Sequence, residues 1–192
     1  YMAMTYISGG SVKDRLHKEK KLPVDESLHI IQQAAEALHY VWQEKAIVHR
    51  DVKPDNIMIT GEGIVKLTDL GLAIDTTEWR EDSDISGSPS YMSPELFTGA
   101  KPDTRCDIYS LGVTLYQMLS GKLPFEARSI RSLAYQHMEE DAPSLDRTDP
   151  EIPAPVARLV KKMMTKNPND RYQNMDELLR DIWSLRQTTA PD

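Results

Sequence analysis

Residues 47–59 read IVHRDVKPDNIMI, with a His, an Arg, two Asp, a Lys and an Asn between two short apolar runs. A turn that merely joins strands needs none of these. Asp51, Lys53 and Asn56 fall in one short non-helical stretch, and Asp69 closes the next apolar run. Asp51 is placed to accept or orient the proton of an attacking hydroxyl. Lys53 is a compact positive charge that can neutralise a moving phosphoryl group. Asn56 and Asp69 supply two hard oxygens of the kind Mg²⁺ prefers when phosphates complete its shell. Together these are the parts of a phosphoryl-transfer site, where positioning and charge stabilisation dominate. Singly, Asp51 reads as a turn cap and Lys53 as a surface charge. The joint spacing favours the chemical reading.

Elements able to hold such a loop flank it. Leu28, Ile31, Ala35, Leu38 and Trp42 recur at spacings of three and four, one stripe of a helix. Asp25 and Glu26 lie in its first turn, where the helix dipole favours them. GEG at 61–63 marks a hairpin turn, and 64–71 a strand ending in Gly. Residues 72–92 show no sustained period and read as one long loop. Residues 103–121 form a helix apolar nearly all round, hence buried, closed by Gly121. Asp107 lies inside it and must find partners there. A helix is expected over 129–138, followed by a solvated acidic loop with prolines. Val156, Leu159, Val160 and Met163 share a helical face. Asn174 and Glu177 form a capping signal for a last helix carrying Met175, Leu178, Leu179 and Ile182, and 188–192 frays. SGGS at 8–11 is a turn, and 1–7 reads as the end of a strand with nothing before it to pair with, as in a piece of a longer protein.

The 192 residues carry net charge −7 and 40% apolar content, a soluble globular composition. The acidic balance argues against a nucleic-acid partner. No run approaches the ~18 apolar residues of a membrane span. The one cysteine, Cys106, fits a reducing compartment and reads as a small core residue. The location expected is cytoplasmic, or the cytoplasmic domain of a membrane-anchored protein.

HRDVKPDN (49–56), DLG (69–71) and SPE (93–95) resemble the catalytic loop, metal-binding motif and activation-segment end of Hanks-type serine/threonine protein kinases. GSPSYMSPELF, DIYSLGVTLYQMLSGKLPF and KNPNDRYQN follow in register, so the resemblance covers essentially the whole chain. It implies a fold that is mainly α with a few short β-strands, the C-terminal lobe only, with the N-terminal β lobe missing. The implied division of 1–192 is hinge 4–10, catalytic loop 49–56, activation segment 69–95 and C-lobe helices 103–188. The implied cofactors are ATP and Mg²⁺. The implied partners are protein substrates with Ser or Thr acceptors, and the missing N-terminal lobe.

Carried over residue by residue, Asp51 resembles the catalytic base and Lys53 the lysine on the transferring phosphate. Asn56 and Asp69 resemble the metal-holding pair. Met4, Ile7 and Met58 resemble the gate, hinge and floor of the adenine pocket. His49 and Leu70 occupy spine positions that face water without their partners. Arg50 resembles the reader of an activation-loop phosphate on Thr76, Thr77, Ser83 or Ser86. Asp107 resembles the acceptor of the 49–50 backbone N–H groups, and Glu95 with Arg171 a buried ion pair. The departures are mild: Leu70 stands for Phe, Ser88 for Thr, Ser93 for Ala. The Gly-rich loop, the strand lysine and its helix glutamate are absent. Three rivals remain open. A pseudokinase would usually lack one of Asp51, Lys53, Asn56 or Asp69. A small-molecule kinase would not need Lys53, SPE or Arg171. The third is a lobe used only as an interaction surface.

Overall fold

The computed structural model describes residues 9–80 and 86–189. The expected strand at 1–7, Met4 and Ile7, Ser83 and the last three residues lie outside them. The described residues are mostly helical, with two small antiparallel sheets.

Ser11 opens α1 (Val12–Glu19) through a reciprocal capping box with Asp14. Helix α2 (Val24–Lys45) follows with Asp25 and Glu26 in its first turn, as the spacing required. Leu28, Ile31, Ala35 and Leu38 are buried, while Trp42 packs beside a smaller cluster around Val48, Met92, Leu96 and Cys106. Strands β1 (Ile47–Val48), β2 (Ile57–Ile59) and β3 (Val65–Leu67) come next. The last two form the expected hairpin in the register Ile59 opposite Val65. The strand foreseen over 64–71 stops at Leu67, because Asp69 takes a left-handed backbone with φ 63°.

Residues 72–92 are not one loop. Strand β4 (Ile74–Asp75) pairs back onto β1, and α3 (Pro94–Phe97) follows the segment. A two-residue ladder is too short to leave a period in sequence. Helix α4 (Thr104–Ser120) is capped by the Asp103 side chain and ends on Gly121 at φ 73°. It is buried on all sides, with α2 and α7 (Ala154–Met163) packed on it. Helix α5 (Ile130–Glu139) starts on Ser129. The expected solvated loop after it is partly wrong. It holds α6 (Leu145–Thr148) and buries Leu145 and Ile152 in the main core. Two isolated apolar residues among acids set no period, so only packing reveals them. Helix α8 (Met175–Thr189) lies along α2, and Asn174 accepts from the Glu177 N–H at 2.9 Å.

Helices α4 and α7 approach closely at Gly112. A Cβ there would come within 2.8 Å of Met163 Cβ and 2.9 Å of Met164 Cγ. Gly112→Val forces this seam apart, and overpacking of that kind costs about 1–3 kcal/mol. At ~2–4 °C per kcal/mol for a chain of this size, thermal unfolding is expected several degrees lower. An unchanged midpoint would show that the helices do not meet here.

Candidate active site

The loop between β1 and β2 is held from below by α4. Asp107 accepts the backbone N–H of His49 and of Arg50, both at 2.9 Å. Its carboxyl is pushed up by burial, against the pull of those two donors. Arg50 thereby takes a left-handed backbone, φ 64°, unusual for a side chain of its size. The His49 ring is buried and its Nε2 lies 3.1 Å from the Thr68 carbonyl. His49 therefore does not face water, contrary to expectation. Thr68 supplies the partner. Leu70 does face water, at 58% exposure.

Asp51 sits beyond this anchor with 4% exposure. Lys53 Nζ donates to its Oδ2 at 2.7 Å, Asn56 Nδ2 to the same oxygen at 3.0 Å, and the Ser88 N–H to Oδ1 at 2.9 Å. Burial raises the carboxyl, but the contacts with Lys53 and Ser88 outweigh it and hold Asp51 below the ordinary carboxylate value. A carboxylate offers about four acceptor positions, and three are taken. The group is ionised at neutral pH with room for one more proton donor, such as an incoming hydroxyl. Lys53 Nζ also donates to Ser88 Oγ at 2.6 Å. One ammonium thus joins the 49–56 loop to the 86–95 segment.

Asn56 is tied to the residue before Asp69: the Thr68 N–H and hydroxyl both donate to the Asn56 carbonyl, at 2.9 and 3.2 Å. The Asn56 amide nitrogen is spent on Asp51, leaving its oxygen turned to other partners. The Asp69 carboxylate is exposed and, among the described residues, accepts only the Gly71 N–H, at 3.2 Å. An amide oxygen and a carboxylate are hard donors of the kind that suits a Mg²⁺ taking its other ligands from phosphate and water. Among the described residues no group of three or more His, Cys, Asp or Glu side chains gathers for a tighter metal. Met58 lies in β2, half-exposed, bridged to Ser11.

The 86–95 segment is fastened at its far end by Glu95 and Arg171. The guanidinium meets both carboxylate oxygens at 2.7 Å and also donates to the Thr165, Lys166 and Arg105 carbonyls. Cys106, a core residue as foreseen, donates its thiol to Glu95 at 3.2 Å. The sequence reading missed Gln117, which accepts the Tyr91 hydroxyl at 2.6 Å. The signal was available: a long polar side chain in an otherwise buried helix. Of the hydroxyls expected near Arg50, Thr76 is buried and bonded to the Ala46 carbonyl at 3.1 Å, whereas Thr77 is exposed.

A hollow of about 920 Å³ between α2 and α8 lies on Gln32, Glu36 and Trp183, away from all of these groups. A smaller one of about 320 Å³ is apolar, walled by Leu38, Val41, Ile47, Val65 and Leu67, with His49 and Leu70 at its edge.

Comparison with known proteins shows the family. The protein kinase domain family matches residues 1–184, and the chain belongs to that family. It is 35% identical to serine/threonine-protein kinase PknB of Mycobacterium leprae over all of this chain and 31% of the relative. It is 34% identical to serine/threonine-protein kinase PrkC of Bacillus subtilis over 95% of this chain and 28% of the relative. A PknB of Mycolicibacterium smegmatis is 36% identical, with 100% and 31% covered. The chain spans less than a third of these relatives' length. No helix among the described residues is long and apolar enough to cross a membrane.

Glu95 is pushed up by burial but held below its ordinary 4.5 by Arg171. A group depressed on folding stabilises above its unfolded value and loses that contribution as pH falls through the folded one. Arg171→Ala strands the buried carboxylate, a cost of about 3–5 kcal/mol. The unfolding midpoint in urea at pH 7 is expected to fall sharply. The gap between variant and parent should narrow below pH 4. A gap unchanged by acid would remove Glu95 from the account.

Proposed function

We propose that residues 1–192 form the C-terminal lobe and hinge of a protein kinase that transfers the γ-phosphate of ATP to Ser or Thr hydroxyls of protein substrates. The observation that carries this is Lys53, bonded at once to the Asp51 carboxylate and to Ser88. In that reading Asp51 takes the acceptor proton and Lys53 balances charge on the moving phosphoryl group. Asn56 and Asp69 hold Mg²⁺, which draws charge from the phosphates when bound. Met4, Ile7 and Met58 border the adenine. Ser88 beside Lys53 suits a Ser or Thr acceptor, and the names of the relatives, serine/threonine-protein kinases, point the same way. The reaction belongs on the cytoplasmic side, where ATP is.

The Gly-rich loop and strand lysine of the family would come from a second lobe outside these residues. The exposed Leu70 and the apolar hollow beside it support a covering body there. The test is Asp51→Asn in the full-length protein, with the fold followed by circular dichroism. Activity is expected to fall about 10²–10⁴-fold, with phosphate on Ser and Thr in the parent. Near-normal turnover in the variant would sink the assignment of Asp51, and mainly phosphotyrosine would overturn the acceptor class. Residues 1–192 alone should show no turnover, since alignment of both reactants supplies much of the rate.

A second prediction concerns the 76–86 segment. Arg50 spends Nε on the Leu72 carbonyl at 2.7 Å, and among the described residues neither terminal nitrogen of its guanidinium carries a hydrogen bond. A phosphate brings about −1.5 to −2 charges for such a group to pair with. Phosphate on Thr77, Ser83 or Ser86 is expected to raise activity several-fold, and the buried Thr76 is the poorest acceptor. Equal activity after alanine replacement of Thr77, Ser83 and Ser86 would remove the idea.

A further inference from the structure

Residues 9–13 form a strap along β2. One edge of β2 is taken by β3. On the other, the Ile59 N–H donates to the Gly10 carbonyl at 2.9 Å, and Ser11 bridges Met58 in the antiparallel sense. Lys13, in the first turn of α1, then meets the Asp55 carboxylate at 2.5 Å. Asp55 stands in the same turn as Asn56. From Gly9 to Lys13 the strap therefore runs back along 59 to 55, from the end of β2 to the turn that bears Asn56.

The approach at Gly9 is closer than an edge contact requires. A Cβ there would stand 1.8 Å from the Ile59 carbonyl oxygen, 2.7 Å from the Ile59 carbonyl carbon and 2.8 Å from the Thr60 carbonyl carbon. All three are backbone atoms of the hairpin, so no change of rotamer moves them aside. Gly10 has no free choice either, with φ 86°. One glycine is demanded by space and the next by its dihedral. A strap that only covered the edge of β2 would be firmer with side chains to pack, because glycine loses more conformational freedom on folding than any other residue. What glycine provides here is closeness, and closeness fixes a distance. Gly9 continues directly from the segment read as hinge, and Met58 and Asn56 lie on the strand and turn that the strap grips.

We propose that Gly9 is a positioning residue: by letting the strap close onto Ile59, it sets how far the hinge stands from Met58, and so where adenine lies relative to the Asn56 end of the nucleotide. The nucleotide part rests on the kinase reading above. The close docking of the strap does not.

The experiment compares Gly9→Ala and Gly10→Ala with the parent in the full-length protein. Calorimetry follows the binding of adenosine and of ADP with Mg²⁺, and steady-state kinetics follow ATP and an acceptor protein. Gly9→Ala is expected to weaken adenosine and ADP by the same factor, about tenfold, the scale of a mild overpacking. KM for ATP should rise alike, with KM for the acceptor and kcat at saturating ATP changed less than twofold. A Cβ at Gly10 meets only the Asp14 side chain, at 3.3 Å. Gly10→Ala should therefore act in the same direction by about threefold, and it carries the test should Gly9→Ala fail to fold. Hydrogen exchange of the Ile59 amide should quicken about tenfold in Gly9→Ala. The Thr68 amide, held by the Asn56 carbonyl, should not change. Unchanged exchange at Ile59 in every folded variant overturns the docking. Faster exchange with unchanged adenosine affinity, or a loss confined to ADP, overturns the link to adenine. A parent protein that binds neither ligand and transfers no phosphate would defeat the kinase reading, and exchange at Ile59 would still decide the docking.

Discussion

Asp107 holds the 49–51 backbone in place, and the geometry around Asp51 depends on it. A carboxylate on a helix buried all round costs several kcal/mol to desolvate. Two backbone N–H groups return about 1.5–3 kcal/mol each as hydrogen bonds to a charge. Those donors belong to His49 and Arg50, so the bonds form only when the loop follows one path. That path includes the left-handed Arg50, a conformation costing on the order of 1–3 kcal/mol. The strain and the buried charge answer one another. Neither would persist alone.

Asp107 is one member of a polar stripe on α4. Asp107, Ser110, Thr114 and Gln117 follow at spacings of three, four and three, which puts them on one face of the helix. Asp107 holds the 49–50 backbone. Ser110 donates to the Tyr91 carbonyl at 2.8 Å, and Gln117 accepts the Tyr91 hydroxyl. Thr114 is buried without a partner for its hydroxyl, and the structure offers no physical account of it. The same rigid helix therefore fixes both the loop bearing Asp51 and the segment bearing Ser88. Lys53 then bridges two pieces already registered to a common support, which lowers the entropy its two short contacts must overcome.

How much of this could be read in the sequence followed the range of the interaction. Helices α2, α4, α7 and α8 were legible because their apolar stripes repeat every turn. The hairpin of β2 and β3 was legible from GEG. The spacing of Asp51, Lys53 and Asn56 was legible as a cluster, and the structure brings Lys53 and Asn56 onto Asp51; Asp69 follows Thr68, which bonds to the Asn56 carbonyl. Strand β4 was not legible, since two residues define no period and their partners lie at 47–48. Leu145 and Ile152 looked like loop residues because their neighbours are acids and prolines. His49 was expected at the water surface, but the Thr68 carbonyl that meets it lies on another strand's exit. Each miss turns on a contact made at long range by one or two residues.

The two fastenings of the 86–95 segment differ in kind. At Glu95 the guanidinium fork is buried, paired on both arms and backed by three carbonyls, an arrangement that forfeits several kcal/mol if either partner is lost. At Ser88 the contacts are one backbone N–H and one hydroxyl on groups that also serve Asp51. Lys53 is partly open to solvent, so water can replace what it loses. The far end is thus built to stay, and the near end to exchange partners. Under the proposed function, an incoming hydroxyl would take the remaining acceptor position of Asp51 at the weakly held end, without disturbing the ion pair that keeps the segment folded.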